Sequence, residues 1–151
     1  MKNSILQLIR LILIGLYSYV AFSKWLAFGR FVHDMHNQPF ARWLADLLIG
    51  VLPLLELAVA GLLFFPKLVV WGFRLSLVLM GVFTLYVGAV LLGVFDRIPC
   101  ACGGFLNGLG WGQHLAVNLL LLGVSVWGGY LYKQNIKKEM HASQGVSRKP
   151  V

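Results

Sequence analysis

Apolar residues in this chain gather in long runs instead of alternating with polar ones. Four stretches, residues 4–25, 43–65, 68–95 and 111–132, are almost unbroken in their hydrophobicity. Each is close to or above the roughly 20 residues that a helix needs to cross a hydrocarbon core of about 30 Å. Lipid offers no water to backbone N–H and C=O groups, so runs of this length are predicted to be helical. Between the first two runs lies "FGRFVHDMHNQPF", residues 28–40, whose mixed character predicts an amphipathic segment at the membrane interface. The pattern therefore predicts an all-α polytopic membrane protein, a bundle of four transmembrane helices with an interfacial segment between helices one and two. Residues 1–133 form this domain. Residues 134–151 are polar and basic and are expected to be a disordered tail. The chain shows no internal repeat.

Composition agrees with a lipid solvent. The hydrophobic fraction is 59% and the charged fraction 12% in 151 residues, too much apolar surface for a soluble domain of this size to bury. The net charge of +8 does not indicate nucleic acid, because the basic residues are not interleaved with aromatics on a polar face, and five of the thirteen lie after residue 132. A basic tail beside anionic lipid accounts for them. The first run has one feature of a signal peptide, Lys2 before it, and "AFS" at 21–23 loosely imitates a cleavage site. Arg10 interrupts its core, however, and its length favours an uncleaved helix.

The distribution of Lys and Arg sets the expected orientation. With the N-terminus inside, the inner segments hold Lys2, Arg10, Lys67, Arg74, Lys133, Lys137, Lys138, Arg148 and Lys149; the outer segments hold Lys24, Arg30, Arg42 and Arg97. Both termini are thus expected in the cytoplasm, with the connection between helices three and four outside. Trp25, Trp43, Trp111 and Trp127 lie mostly near run ends, as an aromatic belt would.

That outer connection contains "RIPCACGGF", residues 97–105, with the chain's two cysteines, Cys100 and Cys102. A disulfide between them would constrain almost no chain, so it would stabilise little as a staple. So short a ring also restricts disulfide geometry, and strained disulfides are the more oxidising ones. Pro99 and the pair Gly103-Gly104 supply the stiffness and freedom such a turn needs. These features point to an exchanging pair. Metal binding is the alternative: Cys100 and Cys102 with His114, and with His33 and His36 flanking Met35, are soft and imidazole ligands suited to copper or zinc.

Helix four begins "WGQHLAVNLLLL", placing His114 and Asn118 on one face near the depth of the cysteines. An imidazole there can lower a thiol's pKa or relay its proton; the alternative is that both residues pin the helix to the bundle. Glu56, in the middle of helix two and just after Pro53, must be paired or protonated. Arg10, Arg74 and Lys24 are its candidate partners in an intramembrane charge network, read as a structural ion pair with a proton relay as the alternative.

These residues together resemble the MauE/DoxX-like group of bacterial inner-membrane proteins, in particular its MauE branch. The likeness is carried by "AFSKWLAFGRF", "LPLLELAVAGLLF", "DRIPCACGGF" and "WGQHLAVNLLLL", in that order over about residues 10–132. It implies a multi-pass protein of the bacterial inner membrane, with Cys100 and Cys102 periplasmic and aligned with the family's cysteine pair. It also implies a periplasmic thioredoxin-like partner or a maturing disulfide-rich protein. One departure is Ala101, where the family commonly has Gly; a β-carbon there makes a closed disulfide harder to form. The expected function is a membrane thiol–disulfide oxidoreductase with Cys100, Cys102, His114 and Asn118 at its centre. Quinone is the natural electron acceptor, with His114 and Asn118 available to bond its oxygen. A non-enzymatic anchor for a thioredoxin-fold partner and a copper- or zinc-handling protein are the alternatives.

Overall fold

A computed structural model describes residues 2–39, 41–94 and 110–146. Its elements are α1 (Lys2–Leu26), α2 (Phe28–His36), α3 (Arg42–Phe64), a 3-10 turn (Pro66–Leu68), α4 (Val69–Leu91) and α5 (Trp111–Val146). Among the described residues four helices, α1, α3, α4 and α5, are long and apolar enough to cross a membrane. They pack as an antiparallel ring in which α1 touches α3 and α5, and α4 touches α3 and α5. We call the end where α1 and α4 finish and α3 and α5 start the loop end, and the other the terminal end.

The bundle hides a modest interior and leaves much of its apolar surface outward. Leu13, Val59, Leu63 and Val69 are fully enclosed. Leu11, Phe22, Leu54, Val82, Leu85 and Leu120 are at least half exposed, which only a lipid surround makes tolerable. Two glycines set the interhelical spacing. A β-carbon on Gly72 would come within 2.8 Å of the Leu63 backbone nitrogen, and one on Gly128 within 2.5 Å of the Phe73 ring. Small residues at such contacts let helix backbones approach closely where lipid supplies no hydrophobic drive.

Helix ends follow local chemistry more closely than hydropathy. The third apolar run extends to residue 95, but α4 stops at Leu91 because Gly93 adopts φ +70°. The Val94 N–H donates to Ala89 O at 3.1 Å and the Gly93 N–H to Val90 O at 3.0 Å, the paired bonds of a Schellman motif. At the terminal end the α3–α4 turn is tied from two sides. Arg10 donates through Nε and Nη2 to Leu63 O at 3.1 and 2.7 Å, satisfying a carbonyl that the helix end would leave bare. Tyr132 donates its hydroxyl to Pro66 O at 2.9 Å.

The interfacial segment is α2, which follows α1 after a single non-helical residue, Ala27. It is amphipathic, burying Phe31 and Met35 against the loop end while its polar side faces out. The expected tail differs. Helix α5 does not finish at residue 133 but continues to Val146. Residues 134–146 include Gln134, Lys137, Lys138, Glu139, Met140 and Ala142, which favour helix once a stable helix precedes them. Residues 147–151 lie outside the described residues.

Candidate functional site

The site grows from the start of α5. Gly110 caps the helix: its carbonyl accepts from the His114 N–H at 3.0 Å, and its own N–H donates to Gln113 Oε1 at 3.0 Å. That reach-back from the third helical residue is half of a capping box. The cap fixes where α5 begins, and so places His114 in its first turn. There the imidazole is buried, 2% exposed, with the Trp111 ring centroid 6.1 Å away. Asn118, one turn deeper on the same face, is partly buried. Cys100 and Cys102 lie outside the described residues, in the segment joining α4 to α5.

The interior holds a second polar centre. Lys24, in the last turn of α1, donates from Nζ to Glu56 Oε1 of α3 at 2.7 Å, and both side chains are 2% exposed. Helix α3 continues through Pro53, so Glu56 stays on the face that meets α1. Lys24 reaches it because helical side chains lean toward their own N-terminus, here away from the loop end. The Nζ atom also sits 5.8 Å from the centroid of the Phe31 ring, which α2 places over this end of the bundle. Among the described residues Glu56 Oε2 has no hydrogen-bond partner.

The other two cations grouped with Glu56 by sequence are elsewhere. Arg10 is spent on the carbonyls of α3, including Phe64 O at 3.3 Å, at the terminal end. Arg74 is exposed and lies over the Trp71 ring at 4.9 Å, on its own helix. Both sit too near the terminal end to share the Lys24–Glu56 pair, and each finds a local partner instead. The four-charge network thus reduces to one ion pair.

Three hydroxyls that sequence reasoning passed over complete the interior. Tyr17 of α1 crosses to α4, where its hydroxyl is 2.9 Å from Ser76 Oγ, and Ser76 Oγ is 2.9 Å from Ser125 Oγ of α5. All three residues are buried. The histidines of α2 take outward positions. His33 is 76% exposed beside Asp34 and Asn37, and His36 Nε2 is 2.6 Å from Asp46 Oδ1. Among the described residues no group of three or more His, Cys, Asp or Glu side chains is placed to hold a metal ion.

A family model described as "Methylamine utilisation protein MauE" matches residues 2–131. The chain belongs to the MauE family. The match takes in α1 to α4, α5 as far as residue 131, the Lys24–Glu56 pair and the cysteine motif, and ends before the basic continuation of α5. No curated protein and no solved structure matches the chain. As a MauE-family protein with four spanning helices, it is a multi-pass membrane protein.

Within this MauE-family chain, the signals differed in strength. Lys24, Glu56 and His114 were visible as costly residues in apolar runs. Tyr17, Ser76 and Ser125 carried no such mark, since a lone hydroxyl in a membrane helix is satisfied by its own backbone as readily as by a neighbour.

Proposed function

We propose that the protein is a membrane thiol–disulfide oxidoreductase with Cys100 and Cys102 as its exchanging pair. One observation carries this reading: the Cys-Ala-Cys motif leads by chain connection into a capped helix whose first turn holds a fully buried imidazole, His114. Membership of a family described by methylamine utilisation, a redox context in the membrane, supports it. The Lys and Arg balance favours an orientation with both termini cytoplasmic and the cysteines on the periplasmic side of a bacterial inner membrane.

In this reading a thiolate of a periplasmic thioredoxin-like or maturing protein attacks one sulfur of the Cys100–Cys102 disulfide. The S–S bond breaks and a mixed disulfide forms. The partner's second thiolate then displaces it, so the partner leaves oxidised and the pair is left as a dithiol. The chain has two cysteines and no further dithiol to pass electrons to. Two electrons and two protons therefore go to an acceptor of matching stoichiometry, a quinone in the bilayer. His114 holds or moves the thiol proton, and Asn118 orients the groups beside it.

The test is direct. Membranes holding the protein and a short-chain quinone are given a reduced soluble dithiol protein, and its oxidation is followed. Oxidation is expected to stop with Cys100→Ser and with Cys102→Ser, and to slow with His114→Ala by about 10²-fold, the low end for a positioned proton-transfer group. Unchanged oxidation in both cysteine variants would replace this reading with that of a non-enzymatic anchor.

A further inference from the structure

We propose that Glu56 is a proton acceptor inside the bundle, held ready by Lys24, that carries the thiol proton from the cysteine end toward the quinone. This rests on the thiol–disulfide reading above and adds a route to it.

The starting observation is an imbalance. Lys24 occupies Oε1 of Glu56 at 2.7 Å, while Oε2 is buried with no partner among the described residues. A carboxylate oxygen left bare in an apolar interior is costly, and a buried ion pair is a poor stabiliser compared with apolar packing. The arrangement is therefore better suited to accepting something than to holding helices together. A proton is the smallest thing Oε2 can accept. Among the described residues Glu56 is the one acidic side chain that is buried.

The surroundings suit both states of the pair. With Glu56 ionised, Lys24 neutralises it. With Oε2 protonated, the Lys24 ammonium keeps the face of the Phe31 ring, 5.8 Å away, as a second attractive partner. Among the described residues this buried interior also holds Tyr17 of α1, Ser76 of α4 and Ser125 of α5. His114 of α5 is a further buried titratable group, in the first turn at the loop end. Arg10 and Arg74 are engaged elsewhere. Tyr17, Ser76 and Ser125 form a separate buried row in which each hydroxyl can donate or accept.

The balance is as follows. Oxidation of the dithiol breaks two S–H bonds and forms one S–S bond. Two electrons pass to a quinone, and two protons must reach its oxygens. For one of them an S–H bond breaks, an O–H bond forms at Glu56 Oε2, and that bond breaks again as a quinol O–H forms; the other leaves its thiol by way of His114, the proton carrier of the reading above.

The test uses the full chain in lipid vesicles. Infrared difference spectra between neutral and acidic buffer are expected to contain a carboxylic-acid carbonyl band that shifts in D₂O and is missing from Glu56→Gln. Absence of that band overturns the proposal whether or not the cysteines exchange. The second readout separates two half-reactions, disulfide reduction by a soluble dithiol and dithiol oxidation by a short-chain quinone. Glu56→Gln is expected to slow the quinone half by about 10²-fold and leave the dithiol half unchanged. A residue that only holds the fold would move both halves together. Lys24→Met/Glu56→Leu, which removes both charges and keeps the volume apolar, guards against a misfolded single variant. Wild-type quinone oxidation in that double variant overturns the proposal. Wild-type protein that fails the dithiol half overturns the thiol–disulfide reading instead, and the infrared band alone then decides whether Glu56 takes a proton.

Discussion

At the scale of single residues, the molecule's unusual choices sit where lipid makes them most expensive. Lys24 and Glu56 cancel in charge but not in hydrogen bonding. Removing one partner leaves the other charge buried alone, so Glu56→Ala is expected to lower stability by about 3–5 kcal/mol, and Lys24→Met/Glu56→Leu to recover most of it. Denaturant unfolding in detergent checks both, and a single variant as stable as the double would contradict the pairing. The packing glycines differ in what they face. At Gly72 the obstacle is backbone, the Leu63 nitrogen at 2.8 Å; at Gly128 it is the edge of the Phe73 ring, which can turn. Gly72→Ala is therefore expected to cost more than Gly128→Ala, each within about 1–3 kcal/mol, by the same unfolding measurement. The charges were legible in sequence because any Lys or Glu in an apolar run stands out. Which cation meets Glu56 was not, because pairing depends on helix register and on the direction in which each side chain leans.

At the scale of elements, four apolar runs became four spanning helices because lipid leaves a backbone few options. Their ends were less legible. Hydropathy carries on to residue 95, yet the Schellman turn at Gly93 ends α4 at Leu91. Gly93→Val would force a β-branched residue to φ +70° and is expected to cost on the order of 1–2 kcal/mol. It is also expected to raise hydrogen exchange at the Gly93 and Val94 amides, and exchange as slow as in wild type would contradict that cap. The start of α5 had a readable sign, Gln113 three residues after Gly110, and the helix begins there. Beyond residue 133 composition pointed to disorder while α5 continues to Val146, since helix propensity and an established helix outweigh polarity alone. Helix α2 was legible as an amphipathic segment; that Phe31 covers the Lys24 ammonium was not, since it follows from how α2 folds over the loop end.

At the scale of the whole molecule, the described residues hold two polar centres inside an apolar bundle. One is His114 beneath α5's cap; the other is Lys24–Glu56, with Tyr17, Ser76 and Ser125 also in the interior. Exposed leucines and aromatics surround them on the outer faces of the bundle. The order of motifs along the chain made the family legible. The measurement that tests the central claim most directly is the redox state of Cys100 and Cys102 in intact membranes, read with an alkylating mass tag that cannot cross the bilayer. The account predicts tagging from the periplasmic side only after reduction, and a mixed disulfide with a soluble partner trapped by Cys100→Ser or Cys102→Ser. Thiols that are always free, with no mixed disulfide in either variant, would contradict it.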